Sequence, residues 1–355
     1  MDNSLLLQIE KAKKSLLQSG VVCFPTETVM GLGVVFNDIN AYHRLNKVKE
    51  RPEDKPYTMM VKSIDDISKY AFIDEKIERV INRFMPGSIT LLLKAKGSVP
   101  DYVTHGTGVI GIRIPTNVEA VELLKEVGVP ILVPSANKSG NKPALNSDEA
   151  KDIFNEEVDT YIDGVCQSER PSTIVDFSKG EPSLIRKGPV SFEAIKAIYN
   201  GHKFDDTVIC YLFKDNNVLM LFRNKKKKDI NKEKWIGVGG HIEEGETPLE
   251  AVIRETYEET ELHINKCELV AEVTFFFKED VEMMRVFTCD DFSGEVNYDC
   301  SEGTLEWIPL EKLFSIPLWE GDKYFLKPFM ETDEKINLKM YYKGDKLVRW
   351  EKNED

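Results

Sequence analysis

Apolar and polar positions along the C-terminal half of the chain follow the pattern of a β-rich unit. Residues 207–213 and 217–222 are two apolar runs separated by the polar tripeptide 214–216. Two such runs around a short polar turn are typical of a β-hairpin. Apolar runs of strand length recur downstream, at residues 269–277, 283–289 and 305–308. This half of the chain is therefore predicted to be built around a sheet.

The N-terminal half combines predicted helices with short apolar strands. Residues 1–20 place apolar side chains at helical spacing among charges, which predicts an amphipathic helix and neither a signal peptide nor a membrane span. Residues 21–24 form a short apolar run that leads into the loop 25–33, which carries hydroxyl groups and glycines. Such a loop lets backbone amides approach an anion closely. A second helical pattern covers residues 191–199.

The length of the chain predicts more than one domain. At 355 residues it exceeds what a single hydrophobic core usually organises. A hydrophobic content of 41% is sufficient for well-packed cores. The polar stretch 199–206 separates the predicted helix at 191–199 from the first predicted strand of the C-terminal half. We therefore expect two domains, residues 1–200 and residues 201–355.

A dense set of carboxylates follows Gly240 in the C-terminal half. Residues 240–259 read GHIEEGETPLEAVIRETYEE, a loop followed by a helical pattern. Because a helix advances about 100° per residue, Glu255, Glu258 and Glu259 fall within an arc of roughly 100°. Such a cluster stays ionised where a cation neutralises it, and carboxylate oxygens suit Mg²⁺ or Mn²⁺. The alternative is a solvated acidic helix face, which is common in acidic proteins.

The same segment resembles the signature of the Nudix hydrolases, G-x5-E-x7-R-E-U-x-E-E-x-G-U, in which U is a bulky aliphatic residue. Thr256 stands where an aliphatic residue is usual, and Glu261 stands where the family has glycine. Both lie away from the helix face that carries Glu255, Glu258 and Glu259. We therefore expect them to affect packing and the end of the helix rather than metal binding. The matching positions are Gly240, Glu246, Arg254, Glu255, Glu258, Glu259 and Leu262.

The resemblance implies a Nudix α/β/α sandwich and a metal-dependent pyrophosphohydrolase. The helix glutamates of that family hold the metal, and they correspond here to Glu255, Glu258 and Glu259. Arg254 corresponds to the arginine that orients one of them, while water attacks a phosphorus of a nucleoside-diphosphate linkage. Glu302, in a downstream loop, aligns with a further metal ligand. The expected cofactor is Mg²⁺ or Mn²⁺.

Residues 313–326, LFSIPLWEGDKYFL, resemble the branch of Nudix enzymes that cleaves oxidised purine nucleoside triphosphates. By position, Trp319 and Asp322 match the residues that grip the base. An indole ring stacks on a purine and a carboxyl group hydrogen-bonds the base edge, whereas core packing is the alternative role of Trp319. Ile236 stands where that branch often has a base-contacting asparagine, which leaves the preferred base open.

A basic segment and a series of short motifs mark the N-terminal half. Lys49, Arg51 and Lys55 lie beside two prolines, a composition that suits a polyphosphate or a carboxylate. Taken alone, a basic loop of this kind is most often solvated. Its place in an ordered series changes that interpretation. The series is PTETVMGLG (25–33), KERPEDKP (49–56), PGSIT (86–90), GIRIP (111–115), PSANKSG (134–140), STIVD (172–176) and IRKG (185–188).

This series resembles the YrdC-like threonylcarbamoyl-AMP synthases. The resemblance implies a twisted mixed sheet with helices and a deep cationic cavity. It also implies an L-threonylcarbamoyladenylate synthase, a nucleotidyltransferase that joins L-threonine, bicarbonate and ATP to give threonylcarbamoyl-AMP and pyrophosphate. That product is the donor for threonylcarbamoyl modification of adenosine beside certain tRNA anticodons.

Position matching implies the ligand contacts of this first domain. Cations neutralise the triphosphate while a carbamate oxygen attacks the α-phosphorus, so no covalent nucleophile is needed. Met30 replaces a tyrosine of the family and Met60 a histidine; because a thioether donates no hydrogen bond, we expect altered affinity or selectivity for the amino acid. A strand-end arginine without a ligand is the alternative for Arg113. The matched residues are Arg51, Lys55, Ser135 and Arg186 for ATP, Thr28, Arg113 and Ser172 for threonine, and Lys49 and Asn137 in the same lining.

The charge balance argues against general nucleic-acid binding. The formal net charge is −14, so tight binding of tRNA is not expected. A released intermediate that a separate tRNA threonylcarbamoyl transferase consumes fits better. The six cysteines show no C-x-x-C spacing, which indicates reduced residues rather than zinc ligands. We expect a cytoplasmic protein with no membrane association.

The combined prediction is a bifunctional enzyme of the α/β and α+β classes. A YrdC-like twisted mixed sheet with helices is expected to make threonylcarbamoyl-AMP, and a Nudix α/β/α sandwich to hydrolyse nucleoside triphosphates, including oxidised purine nucleotides. One alternative is that the Nudix domain hydrolyses an adenylylated product such as threonylcarbamoyl-AMP. Another is that the N-terminal domain is only a nucleotide- or RNA-binding module.

Overall fold

Two compact units make up the chain, Met1–Gly201 and His202–Asp355. Within the ranges that the structure describes, no helix is both long and apolar enough to cross a membrane. The structure is a computed structural model, and it describes residues 3–50, 56–166, 171–226, 229–243, 245–332 and 335–352.

A mixed sheet with helices forms the N-terminal unit, as predicted. The strand order is β7-β1-β2-β6-β3-β5-β4-β8-β9, and both parallel and antiparallel neighbours occur. The strands are β1 (Val22–Phe24), β2 (Gly31–Val35), β3 (Thr58–Met60), β4 (Ile89–Lys94), β5 (Val109–Arg113), β6 (Ile131–Leu132), β7 (Thr160–Tyr161), β8 (Thr173–Asp176) and β9 (Ser183–Arg186). The helices are α1 (Asn3–Leu17), α2 (Ile39–Lys49), α3 (Ile64–Tyr70), α4 (Glu75–Phe84), α5 (Asp101–Thr104), α6 (Val118–Val127), α7 (Ser147–Phe154) and α8 (Phe192–Tyr199).

Apolar clusters cover both faces of this sheet. Along β1, Cys23 packs into one cluster while Val22 and Phe24 pack into the other, because successive side chains of a strand point to opposite faces. The predicted N-terminal amphipathic helix is α1, which buries Ile9, Ala12 and Leu16. These positions recur at helical spacing. Burial on both faces explains why the short strands of this unit are continuous apolar runs.

The topology brings several predicted site residues to one end of the sheet. Strand β5 ends at Arg113 and runs antiparallel to β4, which is parallel to β8. Ser172 directly precedes β8, and Arg186 ends the antiparallel neighbour β9. The end of β5, the start of β4, the start of β8 and the end of β9 therefore follow one another along the same edge of the sheet. Residues far apart in sequence become neighbours through strand order alone.

The C-terminal unit is a second mixed sheet with a helix on each face. Its strand order is β12-β11-β10-β15-β14-β17-β18, with β13 paired to β10 and β16 to β11. The helices are α9 (Pro248–Thr260) and α10 (Lys323–Glu331). The strands are β10 (Phe204–Lys214), β11 (Asn217–Phe222), β12 (Trp235–Ile236), β13 (Val238–His241), β14 (His263–Phe277), β15 (Asp280–Ser293), β16 (Thr304–Pro309), β17 (Ile336–Lys343) and β18 (Lys346–Lys352).

Alternation along β10 shows the layers of this unit. Val208, Cys210 and Leu212 pack with residues of α9, whereas Ile209 and Tyr211 pack with residues of α10. The predicted α/β/α sandwich is therefore confirmed. The predicted hairpin is the pair β10–β11, in which Lys214 faces Asn217. Both residues of its turn have positive φ, 50° at Asp215 and 63° at Asn216, the conformation that a two-residue hairpin turn requires.

Candidate functional sites

The start of α9 sets the register of the carboxylate cluster. Thr247 caps the helix by accepting a hydrogen bond from the backbone N–H of Glu250. The Glu250 carboxylate accepts in return from the Thr247 backbone N–H at 2.8 Å, and Pro248 occupies the first turn. This capping box, with proline where no N–H is needed, fixes where the helix begins. The positions of Glu255, Glu258 and Glu259 follow from that start.

Arg254 neutralises most of the exposed part of this cluster. Its guanidinium binds the Glu246 carboxylate through Nε at 2.8 Å and Nη2 at 2.9 Å. Nη1 also donates to Glu255 at 2.8 Å and to Glu258 at 3.3 Å. These carboxylates, Glu246 first, raise the pKa of Arg254 well above its usual value. The arginine therefore orients Glu255, and Glu258 stays on the surface with 57% of its side chain exposed.

Glu259 is the buried member of the cluster. Only 8% of the residue is exposed, and its Oε2 accepts a hydrogen bond from the Gly239 backbone N–H at 2.8 Å. Burial raises the pKa of Glu259 to about 8, and the carboxylates of Glu302 and Glu255 act in the same direction. Glu302 forms ion pairs with Arg223 and Lys226. Three carboxylates thus repel one another around a partly buried site.

The carboxylates fit a divalent cation by chemistry, although they are paired within the protein. In the described part of the chain, no group of three or more His, Cys, Asp or Glu side chains is arranged so that it could hold a metal ion. Glu255 and Glu258 bind Arg254, and Glu302 binds Arg223 and Lys226. Their oxygens are nevertheless the ligand type that Mg²⁺ and Mn²⁺ prefer. Burial is the main cause of the raised pKa of Glu259, and a cation would relieve the repulsion that Glu302 and Glu255 add to it.

A cavity of about 550 Å³ joins this acidic end to an aromatic end. The acidic end is bordered by Glu255, Glu302 and the backbone of Gly239 and Gly240. Gly240 allows this approach, because a β-carbon there would lie 2.6 Å from the carboxylate of Glu255. The aromatic end is lined by Tyr211, Phe275, Phe277, Trp319, Asp322 and Tyr342. The cavity is therefore long enough to contact two chemically different parts of one ligand.

Trp319 and Asp322 lie together at the aromatic end. Trp319 Nε1 donates to Asn231 Oδ1 at 2.9 Å, and its ring meets Tyr342 edge to face at a centroid distance of 5.4 Å. Asp322 accepts a hydrogen bond from the Trp319 backbone N–H at 3.2 Å. Burial raises the pKa of Asp322 to about 7, against the effect of Lys234. The carboxyl group therefore exchanges a proton close to neutral pH.

Asn231 and Tyr342 are members of this site that the sequence patterns do not identify. Asn231 lies in a polar loop and Tyr342 in an alternating strand, and neither position carries a motif. Ile236, which stands in place of a family asparagine, lines the cavity as expected from its position. Thr256, a departure from the Nudix signature, is fully buried. Glu261, the other departure, ends α9 with a left-handed φ of 59°.

In the N-terminal unit, Lys49, Ser135 and Asn137 form one buried group. Lys49 Nζ donates to the Ser135 carbonyl at 2.5 Å and to Asn137 Oδ1 at 2.8 Å. The Ser135 hydroxyl donates to the same amide oxygen at 2.6 Å. Asn137 in turn holds its own loop through the carbonyls of Lys138 and Asn141. The predicted ATP contacts Arg51 and Lys55 lie outside the described residues.

A second group contains the residues assigned to threonine. Arg113 Nη2 donates to Thr28 Oγ1 at 3.1 Å, and Arg113 also forms a buried ion pair with Glu27. Arg186 donates to the Ser172 carbonyl at 3.0 Å and to its hydroxyl at 3.2 Å. Local burial and the charge of Arg113 lower the pKa of Arg186, although the residue as a whole is exposed. Arg113 and Arg186 thus lie at the same edge of the sheet, the first bonded to Glu27 and Thr28 and the second to Ser172.

The two groups of the N-terminal unit belong to one region. Gly31 forms an isolated β-bridge with Ser135, so the loop that carries Thr28 runs beside the loop that carries Asn137. Met30 and Met60 do not resemble ligand contacts, because both are buried in apolar clusters with 0% and 2% exposure. Their thioethers fill core volume in this chain.

Comparisons with known proteins agree with this description. The family model for Sua5, YciO and YrdC, described as telomere recombination, matches residues 14–188, and the NUDIX domain model matches residues 203–329. The YciO protein of Escherichia coli K12 is 29% identical over 53% of this chain and 92% of its own length. The threonylcarbamoyl-AMP synthase of Pyrococcus abyssi is 32% identical over 54% of this chain and 57% of its own length.

A solved structure supports the same assignment. Sua5 of Pyrococcus abyssi, solved in complex with L-threonine, superposes with a TM-score of 0.52 at 27% identity, covering 58% of this chain and 69% of that one. The family model, the relatives and this solved structure thus agree for the first unit. The chain belongs to the Sua5/YciO/YrdC family through its N-terminal unit, and its C-terminal unit matches the NUDIX domain model.

Proposed function

We propose that the N-terminal unit makes threonylcarbamoyl-AMP and pyrophosphate from L-threonine, bicarbonate and ATP. The observation that carries the proposal is the placement of two arginines at one edge of the sheet, where Arg113 donates to Thr28 and Arg186 donates to Ser172. Two guanidinium groups near small hydroxyls suit an amino-acid carboxylate and a polyphosphate. The Pyrococcus abyssi relatives bear the corresponding name and a threonine complex.

The residues of this unit act by charge and position. Thr28, Arg113 and Ser172 hold the amino acid, while Arg186 and the sequence-matched Arg51 and Lys55 neutralise the triphosphate as the carbamate oxygen attacks the α-phosphorus. Pyrophosphate then leaves with the electron pair of the broken P–O bond. Lys49 supports this arrangement by ordering the Ser135–Asn137 loop. Such preorganised charge is the main source of rate in phosphorus transfer.

We propose that the C-terminal unit hydrolyses a phosphoanhydride bond of a nucleoside triphosphate. The cavity carries this proposal, because its aromatic end suits a base and its acidic end a metal-bound phosphate chain. Trp319 and Asp322 would contact the base, and oxidised purine nucleotides are the proposed substrates. Glu255, Glu258, Glu259 and Glu302 are the residues that would hold Mg²⁺ or Mn²⁺, with Arg254 orienting Glu255. When bound, the cation supplies charge neutralisation for phosphate and a site for the attacking water.

A single comparison tests both proposals on the full-length chain. Carbon-14 bicarbonate is supplied with L-threonine and ATP, and labelled threonylcarbamoyl-AMP is separated chromatographically. Pyrophosphate alone is a poor readout, because both units can release it. We expect label in the adenylate only when all three substrates are present. Pyrophosphate release without any labelled adenylate in wild type and in Glu259→Gln would contradict the synthase.

The same assay separates the substrates proposed for the C-terminal unit. If threonylcarbamoyl-AMP is a substrate, the labelled adenylate accumulates in Glu259→Gln and decays in wild type. If the substrates are nucleoside triphosphates, the adenylate is equally stable in both proteins. We expect the second result, together with Mg²⁺-dependent hydrolysis of an oxidised purine triphosphate by the wild type. The released adenylate then serves a separate tRNA threonylcarbamoyl transferase, the indirect partner of this chain.

A further inference from the structure

We propose that Glu27 binds the ammonium group of the amino-acid substrate, so that Glu27 and Arg113 together recognise a zwitterion. The proposal rests on the synthase function proposed above. It adds a substrate-binding residue that selects for an amine.

The first observation is an unpartnered carboxylate oxygen. Glu27 lies between β1 and β2 and is 8% exposed. Its Oε1 accepts from Arg113 Nε at 3.1 Å and also from Arg113 Nη2. Its Oε2 is buried and has no hydrogen-bond partner among the described residues. Leaving a charged oxygen buried and unpaired is costly, so this position favours a ligand that donates hydrogen bonds.

The geometry of the ion pair gives the second observation. An arginine and a carboxylate that only stabilise each other usually pair side by side, with two nitrogens on two oxygens. Here both Arg113 nitrogens use one oxygen of Glu27, and Nη2 also donates to Thr28. For the remaining nitrogen, Nη1, the described residues supply no hydrogen-bond acceptor. Among the described residues, this ion pair therefore leaves one acceptor, Glu27 Oε2, and one donor, Arg113 Nη1, without a partner.

An α-amino acid complements these two free groups. Its carboxylate accepts from guanidinium nitrogens, and Arg186 lies close enough to Arg113 for the charge of one to lower the pKa of the other. Its ammonium group has three N–H donors, which suit a carboxylate oxygen in a buried site. A 2-hydroxy acid of the same shape carries no positive charge and leaves Glu27 poorly paired. Glu27 is therefore the residue that distinguishes the amino acid from its hydroxy analogue.

Isothermal calorimetry on the full-length chain tests this assignment with two ligands. L-threonine is compared with 2,3-dihydroxybutyrate, which has a hydroxyl group in place of the amine and keeps the carboxylate. The variants are Glu27→Gln, which keeps the shape and removes the charge, and Glu27→Asp, which keeps the charge on a shorter side chain. Arg113→Lys serves as the control for loss of the carboxylate contact. Far-UV circular dichroism and thermal unfolding report whether each variant is folded.

In Glu27→Gln we expect threonine binding to weaken tenfold or more while dihydroxybutyrate binding stays unchanged. Glu27→Asp should retain part of the preference for the amine, so it remains informative if Glu27→Gln does not fold. Arg113→Lys should weaken both ligands. An equal loss for both ligands in Glu27→Gln would show that Glu27 only orients Arg113, and no loss for either would also overturn the proposal. A wild type that does not bind threonine would refute the synthase function itself, whereas the other two failures leave it intact.

Discussion

Two carboxyl groups of the C-terminal site have pKa values far above the ordinary values, mainly because they are buried. Asp322 and Glu259 both have raised pKa values, to about 7 and about 8, and burial is the main cause in each case. The pKa of Arg254, whose side chain is half-buried among carboxylates, is raised by its contacts with Glu246 and Glu255, so that the group keeps its charge. Position within the fold, rather than residue type, therefore decides which groups exchange protons near neutral pH.

The pKa of Asp322 predicts a pH-dependent stability. The folded value of about 7 lies above the ordinary value of 3.8, so the native state binds more protons than the unfolded state between these pH values. Stability therefore decreases as pH rises from about 4 to about 7, by an amount on the order of a few kcal/mol. Asp322→Asn cannot ionise, so its stability advantage over wild type should be small at pH 5 and large at pH 8.

Tryptophan fluorescence during urea unfolding measures this effect. All four tryptophans, Trp235, Trp307, Trp319 and Trp350, belong to the C-terminal unit, so the signal reports on that unit alone. Asp345→Asn is the matched control, because Asp345 is exposed in the turn between β17 and β18. Equal pH dependence of the two variants would contradict a buried, protonated Asp322.

Glu259→Gln is predicted to stop hydrolysis by the Nudix unit. The substitution replaces the most buried carboxylate of the α9 cluster by an amide, which cannot ionise to bind a cation but keeps nearly the same shape. Loss of an outer-shell partner of a metal ligand alone costs about 10–100-fold, so loss of a ligand should lower turnover by more than about 100-fold. Hydrolysis of a nucleoside triphosphate at saturating Mg²⁺ measures this. Glu268→Gln, at an exposed position of β14, should keep full activity, and retention of activity by Glu259→Gln would exclude Glu259 as a ligand.

At the scale of elements, the end of α9 stores avoidable strain. Glu261 adopts φ 59° and ψ 12° there, a left-handed conformation that costs a residue with a β-carbon about 1 kcal/mol or more relative to glycine. Its carboxylate accepts from Asn297 Nδ2 at 2.8 Å, an exposed contact of little energy. Glu261→Gly should therefore stabilise the C-terminal unit by about 0.5–1 kcal/mol.

Urea unfolding followed by tryptophan fluorescence also checks this second stability prediction. Glu261→Ala is the matched control, because it removes the hydrogen bond to Asn297 but keeps the β-carbon that causes the strain. We expect no gain in stability for alanine and a gain for glycine. If both substitutions destabilise the unit equally, the contact with Asn297 outweighs the backbone strain.

Helices and strands whose apolar or charged residues recur at regular spacing could be predicted from the sequence, whereas elements without such spacing could not. The hairpin β10–β11 follows from two apolar runs around a short polar turn, and helix α9 follows from the helical spacing of its glutamates. Strands β14 and β15 extend well beyond the apolar runs at 269–277 and 283–289. The extra residues could not be predicted from the sequence, because the strand ends are exposed and lack apolar and polar alternation. Strand β6 has only two residues, so its pairing depends on its neighbours rather than on its own sequence.

The candidate sites show the same division. Spacing along α9 identifies the acidic residues, but it does not indicate that Arg254 would bind three of them. Trp319 can be picked out by a motif, whereas its partner Asn231 is 88 residues away and has no pattern of its own. Glu27 belongs to a recognised motif, yet its unpaired oxygen is visible only once Arg113 has been placed. Long-range contacts decide these features.

At the scale of the whole molecule, the two proposed sites would bind polyanions by opposite means. The N-terminal region contains guanidinium groups beside small hydroxyls, whereas the C-terminal cavity contains carboxylates that would need a cation before phosphate can approach. A substitution that removes a positive charge from the first should therefore leave the second unaffected, and a substitution that removes a carboxylate from the second should leave the first unaffected.

Arg186→Ala and Glu259→Gln test this independence in one full-length chain. Arg186 is exposed and its side chain donates to Ser172, so its replacement by alanine should not unfold the unit. Loss of the charge-assisted contact with the substrate should lower threonylcarbamoyl-AMP synthesis more than about tenfold. Hydrolysis of a nucleoside triphosphate should be unchanged in that variant, and synthesis should be unchanged in Glu259→Gln. Labelled bicarbonate measures the first activity and nucleoside monophosphate release the second. If either substitution suppresses both activities while circular dichroism shows a folded chain, the assignment of separate chemistries to the two units is wrong.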